Sequence, residues 1–378
     1  MNYTTKIINL CKKTKQLNIV PYAQSFRYCN NNCKFCYLKD YMLKRPPTLE
    51  QVKIINDNVI KWLNSYLNEI PSDTEFSLNM IGGELFYLKD YYVEYKRLID
   101  NVNNILKDRH LNIKLFSNLL YKDINPLLEL NSYDNVSSII TSYDYKGRFT
   151  NDSLLLWLNN VNVLLDNDIN VAIETVLTKE FINDFTNRKD KVYENLLKQH
   201  IKFGYNVIIP NREEQLDNIP SQEQLVSFFK YIYDNIKPTP DFDILHYKKM
   251  EEKEEKKVNI FSDCATIQFA LPNETNPKFK SEDNLVVLYC DDILNISSFQ
   301  NVSKFYKDNE IENDFICIKD EKRINYYYDN IYGCGTCKYK NGCSNLKLRD
   351  CFRIQSYLGW NNKCWKKKVL EYLNEQNI

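Results

Sequence analysis

The chain has 378 residues, 43% apolar and 26% charged, with only 8 glycines and 11 prolines; this excludes a low-complexity polymer and allows one large domain plus a smaller one. Fifty basic residues balance fifty acidic ones, so no net field favours nucleic acid or an anionic membrane. The N-terminal MNYTTKIINLCKKTKQLN lacks the apolar core of a signal peptide, and no apolar run reaches membrane-spanning length, so a cytoplasmic protein without membrane partners is expected.

From about residue 19 to 236, short apolar strands alternate with amphipathic helices. Strands are predicted at 19–25, 76–81, 113–117, 136–142, 169–175 and 205–209. Two-residue alternation marks Phe76, Leu78 and Met80, and again Ile169, Val171 and Ile173. Helical stripes run between them, as in Val52, Ile55, Val59 and Leu63, or Leu154, Leu158, Val161 and Leu165. Six such repeats predict an α/β fold, a parallel sheet with outer helices curved as a partial (β/α)6 TIM-like barrel over residues 1–247. The charge run KKMEEKEEKKV at 248–258 has no apolar stripe and reads as a solvated helix or linker. Beyond it, 259–378 reads as a cysteine-rich domain with a strand at 283–292 and a closing helix from about 357 to 373.

Twelve cysteines in a reducing compartment read first as metal ligands. In RYCNNNCKFCY, Cys29, Cys33 and Cys36 share one short loop after the first strand. Three thiolates there can each bind one iron of a cubane and leave the fourth iron without a protein ligand. A zinc knuckle is the alternative, but structural zinc wants four ligands and no fourth Cys or His stands nearby. The second group, Cys334-x2-Cys337-x5-Cys343-x7-Cys351 with Cys364 beyond, is by itself ambiguous between zinc and iron–sulfur. Cys11 and Cys317 lie in apolar surroundings and read as buried structural thiols.

The CNNNCKFCY loop, with Phe35 before its third cysteine, resembles the signature of the radical S-adenosylmethionine (SAM) superfamily. Gly82-Gly83-Glu84, at the end of the second strand, resembles that superfamily's GGE motif, which receives the SAM amino group. Glycines let backbone approach a ligand, and an acid complements an ammonium. The resemblance further implies contacts to the SAM carboxylate and ribose from Ser117, Asn118, Ser142 and Arg148, and a SAM-binding 4Fe-4S cluster on Cys29, Cys33 and Cys36. Cleavage of SAM there would yield a 5′-deoxyadenosyl radical.

The series Cys264, Cys290, Cys334, Cys337, Cys343, Cys351 and Cys364 resembles the SPASM extension, which carries two auxiliary 4Fe-4S clusters in enzymes acting on peptides and proteins. By position, Cys334, Cys337, Cys343 and Cys364 would ligate the outer cluster, and Cys264, Cys290 and Cys351 the inner one. Two spacings depart from the family: an insertion around 273–283 and a long gap between Cys343 and Cys351. Asp291, directly after Cys290, stands where anaerobic sulfatase-maturating enzymes place a base toward the substrate.

The resemblance therefore implies hydrogen abstraction from a peptide or protein residue, giving oxidation or a crosslink, with a flavodoxin or ferredoxin as electron donor. The short stretch before the first strand leaves no room for a separate leader-peptide-binding domain, so another protein or a direct motif is expected to present the substrate. Two alternatives stand beside this reading. One is oxidation of a small molecule such as an aminocyclitol; the other is a non-catalytic zinc-binding protein.

Overall fold

The computed structural model describes residues 3–236, 265–269, 285–288, Cys337 and 364–376; within the first span Gln24, Tyr37, Leu38, Asp40, Tyr41, Tyr145, Lys146, Arg188, Lys189, His200 and 209–212 are not described. In chain order the elements are α1 (Tyr3–Thr14), β1 (Gln16–Val20), α2 (Leu49–Tyr66), β2 (Glu75–Met80), α3 (Tyr92–Ile105), β3 (Leu111–Phe116), α4 (Asn125–Asn131), β4 (Val136–Ser142), α5 (Asn151–Asp166) and β5 (Val171–Leu177). There follow α6 (Lys179–Thr186), α7 (Lys191–Leu197), β6 (Lys202–Val207), α8 (Gln222–Asn235), β7 (Thr266–Phe269), β8 (Leu285–Leu288) and α9 (Trp365–Glu375).

The strands are ordered β6-β5-β4-β3-β2-β1-β7-β8. β1 runs parallel to β2, β2 to β3 and β3 to β4, with Ile19 opposite Leu78 and Leu78 opposite Ile113. This is the expected open α/β sheet, extended by two strands from beyond residue 259. β7 adds in parallel to the free edge of β1, and β8 returns antiparallel to β7.

Two compact units share these elements. The first holds α1 through β4, α5, the first two residues of β5, β7 and β8. Its core forms where alternate strand residues meet helical stripes: Leu17, Ile19, Phe76, Leu78, Met80, Ile113 and Leu115 are buried on one face of the sheet, with Val52, Ile55, Val59 and Leu63 of α2. Each such side chain contributes roughly 1.5–3 kcal/mol on burial. Polar groups are also buried in this core, Asn56 among them. Asn56 accepts from the Tyr22 hydroxyl at 2.6 Å and donates to the Glu94 carbonyl at 2.9 Å, so its burial leaves neither end unsatisfied. Helix starts are fixed chemically: Thr48 with Gln51 and Thr150 with Ser153 form reciprocal capping boxes at α2 and α5. The second unit holds the rest of β5, α6 to α8, β6 and α9. There Phe229 of α8 stacks on Trp365 of α9 with ring centres 5.3 Å apart, and Tyr205 of β6 meets Phe229 edge-on at 4.7 Å.

Several boundaries differ from expectation. β1 ends at Val20 rather than continuing to residue 25, because Pro21 has no N–H to give a parallel ladder. β3 and β6 begin two to three residues earlier than expected, and β5 runs from Val171 to Leu177 rather than over 169–175. Helix α1 was not expected; it buries Ile7, Ile8 and Cys11, and burial pushes the Cys11 thiol up to about 12. On α5 the buried stripe is Trp157, Val161 and Leu164, while Leu154, Leu158 and Leu165 are only half-buried. Trp157 sets that rotation by donating its indole N–H to Thr141 at 3.0 Å. The 248–258 charge run lies outside the described residues, as do 357–363 of the expected closing helix. Among the described residues no helix is long and apolar enough to cross a membrane.

Candidate functional site

The loop leaving β1 and the turn leaving β2 emerge at the same end of adjacent parallel strands and lie against each other. Gly83 N–H donates to the Phe26 carbonyl at 2.6 Å, and Glu84 N–H to the Tyr28 carbonyl at 2.8 Å. This two-bond seam requires glycine at 83. A Cβ there would stand 2.6 Å from the Tyr28 carbonyl carbon and 3.0 Å from its nitrogen. Cysteine loop and GGE turn are thus one local structure: the space beside Gly83 is filled by the backbone that leads into Cys29.

Cys29 and Cys36 are partly exposed and Cys33 is buried. The loop is closed by a turn in which Cys36 N–H donates to the Cys33 carbonyl at 3.2 Å. Asparagines surround the sulfurs. Cys29 Sγ accepts from the Asn31 N–H at 3.4 Å and from Asn118 Nδ2 at 3.5 Å, and Cys33 Sγ accepts from Asn31 Nδ2 at 3.4 Å. Burial pushes the Cys29 thiol up to about 12; the Asn31 N–H opposes this, and the negative charges of Glu84, Cys33 and Cys36 reinforce it. A thiol so disfavoured as a lone anion needs a cation to ionise.

Glu84 is fully enclosed. Its carboxylate accepts from Asn118 N–H at 2.5 Å, Ser117 Oγ at 3.1 Å and Phe86 N–H at 3.2 Å, and Tyr121 and Ser117 hydroxyls meet at 2.9 Å beyond it. Burial pushes the carboxyl up to about 7, against the pull of these donors and of the Arg148 charge. Glu84 therefore ties the end of β2 to the end of β3. Ser117 and Asn118, expected to contact SAM, direct polar atoms to Glu84, Asn30 and Cys29.

Arg148 lies in the same neighbourhood. Its guanidinium stands 5.4 Å from the centre of the Phe35 ring, and its carbonyl accepts from Asn31 Nδ2 at 3.2 Å. Ser142 ends β4, at the same C-terminal end of the parallel strands. The structure thus gathers Cys29, Cys33, Cys36, Gly82, Gly83, Glu84, Ser117, Asn118 and Arg148 into one connected neighbourhood. Asn30, Asn31 and Tyr121 were not singled out from the sequence. Asn31 had a local signal, its place between two ligand-type cysteines; Tyr121 had none, because its role depends on which way Ser117 faces.

Of the second cysteine group only Cys337 and Cys364 are described, Cys364 as the N-cap of α9. Cys264, Cys290, Cys334, Cys343 and Cys351, together with Asp291 and Cys317, lie outside the described residues. Among the described residues no three His, Cys, Asp or Glu side chains converge on a single metal position. A cubane does not ask for that convergence, since each thiolate binds a different iron. Three thiols on one loop, two of them reaching the surface, are a donor set that suits such a cluster.

No family model and no curated protein matches this chain. Solved structures do. Native anSMEcpe, an anaerobic sulfatase-maturating enzyme, with bound AdoMet aligns over 96% of this chain and 99% of that one, at 12% identity and a TM-score of 0.52. The same enzyme with bound AdoMet and Cp18Cys peptide aligns over 96% and 97%, at 13% identity and 0.51. A hexahistidine-tagged form of anSMEcpe with bound AdoMet aligns at 15% identity and 0.43, where the match covers 58% of this chain and 59% of that one. The likeness is one of fold: this chain shares the fold of anSMEcpe.

Proposed function

We propose that this chain is a radical SAM enzyme that modifies a residue of a peptide or protein. The observation that carries the reading is the seam between the Cys29–Cys36 loop and the Gly82-Gly83-Glu84 turn, two bonds that join a three-thiol loop to an acid-bearing turn at the end of the neighbouring strand. The shared fold with a maturase solved with AdoMet and a peptide supports it.

In this reading Cys29, Cys33 and Cys36 hold a 4Fe-4S cluster, Gly82, Gly83 and Glu84 hold the amino group of SAM, and Ser142 and Arg148 serve its carboxylate and ribose. When bound, the cluster supplies the electron that cleaves SAM to a 5′-deoxyadenosyl radical. The protein's own residues prepare the site. Gly83 lets the two motifs close on each other, and Phe35 and Asn31 brace Arg148 against the cysteine loop. Glu84, poised near neutrality in a closed pocket, offers a carboxylate whose charge an arriving ammonium would favour.

The same proposal extends to the C-terminal cysteines: two auxiliary 4Fe-4S clusters on Cys264, Cys290, Cys334, Cys337, Cys343, Cys351 and Cys364, with Asp291 as base toward the substrate. A flavodoxin or ferredoxin would deliver electrons in the cytoplasm. The test is anaerobic reconstitution followed by iron analysis, EPR with and without SAM, and assay for 5′-deoxyadenosine. Three clusters require about 12 irons per chain and one requires about 4. Bound zinc, with no SAM-dependent change in the EPR spectrum, would overturn the proposal.

A further inference from the structure

We infer that Asn118 and Asn31 are positioning residues for the cluster thiolates, donating side-chain amide hydrogens to Cys29 and Cys33, and that Asn118 acts there rather than as a SAM ligand. This rests on the functional reading above.

The geometry of Asn118 leaves its side chain little freedom. Its Oδ1 accepts from Leu120 N–H at 2.8 Å, which fixes the amide orientation, and its backbone N–H is held by Glu84. Nδ2 therefore faces the cysteine loop, where it donates both to Cys29 Sγ at 3.5 Å and to Asn30 Oδ1 at 2.8 Å. Asn30 is itself anchored, its own Nδ2 donating to the Leu120 carbonyl at 2.7 Å. Asn118 is 8% exposed, and both hydrogens of its amide have acceptors. No amide hydrogen is left over to donate to a carboxylate.

Asn31 does the same for Cys33. Its Nδ2 bridges Cys33 Sγ at 3.4 Å and the Arg148 carbonyl at 3.2 Å, and its backbone N–H reaches Cys29 Sγ at 3.4 Å. Two of the three thiols thus carry amide donors, Cys29 two and Cys33 one. Hydrogen bonds to cluster sulfurs stabilise the more negative, reduced state and raise the potential. An amide donates without adding charge, so the thiolates are stabilised with no change in the net charge of the loop.

The experiment compares the reconstituted full-length chain with Asn118→Ala, Asn118→Asp and Asn31→Ala by EPR-monitored redox titration with dithionite, iron analysis and SAM binding by equilibrium dialysis. Expected is a more negative midpoint in each variant. A tenfold fall in the reduced-to-oxidised ratio at fixed poise corresponds to about 59 mV for one electron. Asn118→Asp, nearly isosteric but with a carboxylate in place of the donor, should shift furthest. SAM affinity in Asn118→Ala should stay within about threefold of wild type. Unchanged midpoints in variants with full iron overturn the inference, as does a large loss of SAM affinity with an unchanged midpoint. If Asn118→Ala fails to hold iron, Asn118→Asp and Asn31→Ala decide the matter by the same readout. Failure of the unsubstituted chain to form any cluster would instead sink the functional reading.

Discussion

Gly83→Ala should separate the two motifs of the site. The added Cβ would meet the backbone of Tyr28, 2.6 Å from its carbonyl carbon and 3.0 Å from its nitrogen, and backbone cannot swing aside. Relief requires the 82–84 turn to lift from the cysteine loop, which breaks the bonds from Gly83 N–H to Phe26 and from Glu84 N–H to Tyr28. Overpacking costs about 1–3 kcal/mol, and each lost bond about 0.5–1.5 kcal/mol. Together these amount to roughly 2–6 kcal/mol. Gly204→Ala supplies the contrast. Its Cβ would come as near, 2.6 Å from Glu174 Cδ, but that atom ends a flexible side chain on the exposed side of the strand, whose rotation gives up the bond from Asn206 Nδ2 at 2.9 Å rather than displacing backbone. Its cost should stay under about 1 kcal/mol. Urea denaturation of the purified chains measures both, and anaerobic reconstitution measures iron retention. Gly83→Ala within about 0.5 kcal/mol of wild type and with full iron would refute the argument that the two motifs depend on close backbone contact.

Two further substitutions test local claims. Glu84 has its folded pKa raised to about 7 from an ordinary 4.5, so its contribution to stability is fully present below about pH 4.5 and is lost as pH rises through 7, a loss of about 3 kcal/mol. Glu84→Gln should flatten that fall in urea titrations at pH 5 and pH 8; an unchanged slope would place the cause elsewhere. Asp168, exposed just past α5, sits at φ 56°, a left-handed conformation that glycine adopts without strain, so Asp168→Gly should raise stability by up to about 1 kcal/mol, and a lower urea midpoint would contradict this.

The inner elements of the sheet were legible because alternation is strict where one face is buried. Phe76, Leu78 and Met80 show it in the sequence and are all buried. α2 was legible for the same reason at helical spacing. Boundaries were less so, since they depend on single atoms such as the missing N–H of Pro21. β7 was not expected, and although β8 falls within the strand expected at 283–292, where the two join the sheet could not be read: β7 pairs with β1, from Asn18 to Thr266, and no local period records so distant a partner. At the site, spacing identified the residue types and the structure supplied their directions. Ser117 and Asn118 were recognised as polar residues at a strand end, yet an asparagine's amide turns toward whichever acceptors the fold provides. Here these are Cys29 and Asn30.

That difference alters what the acidic turn contributes. A glutamate that merely projected toward a ligand would be exposed, ionised at neutral pH and replaceable by another acid. Glu84 is enclosed, its carboxyl pushed up to about 7 by burial, and it holds Ser117 Oγ and the N–H groups of Asn118 and Phe86. The Asn118 bond fixes the residue whose amide reaches Cys29, so a change at Glu84 is transmitted to the cysteine loop through one intervening side chain. An ammonium arriving beside the turn would favour the ionised carboxylate and strengthen its grip on those N–H donors. A ligand bound at the turn would therefore be coupled to the donor environment of the Cys29 sulfur through Asn118, over two short hydrogen-bonded steps rather than across the fold.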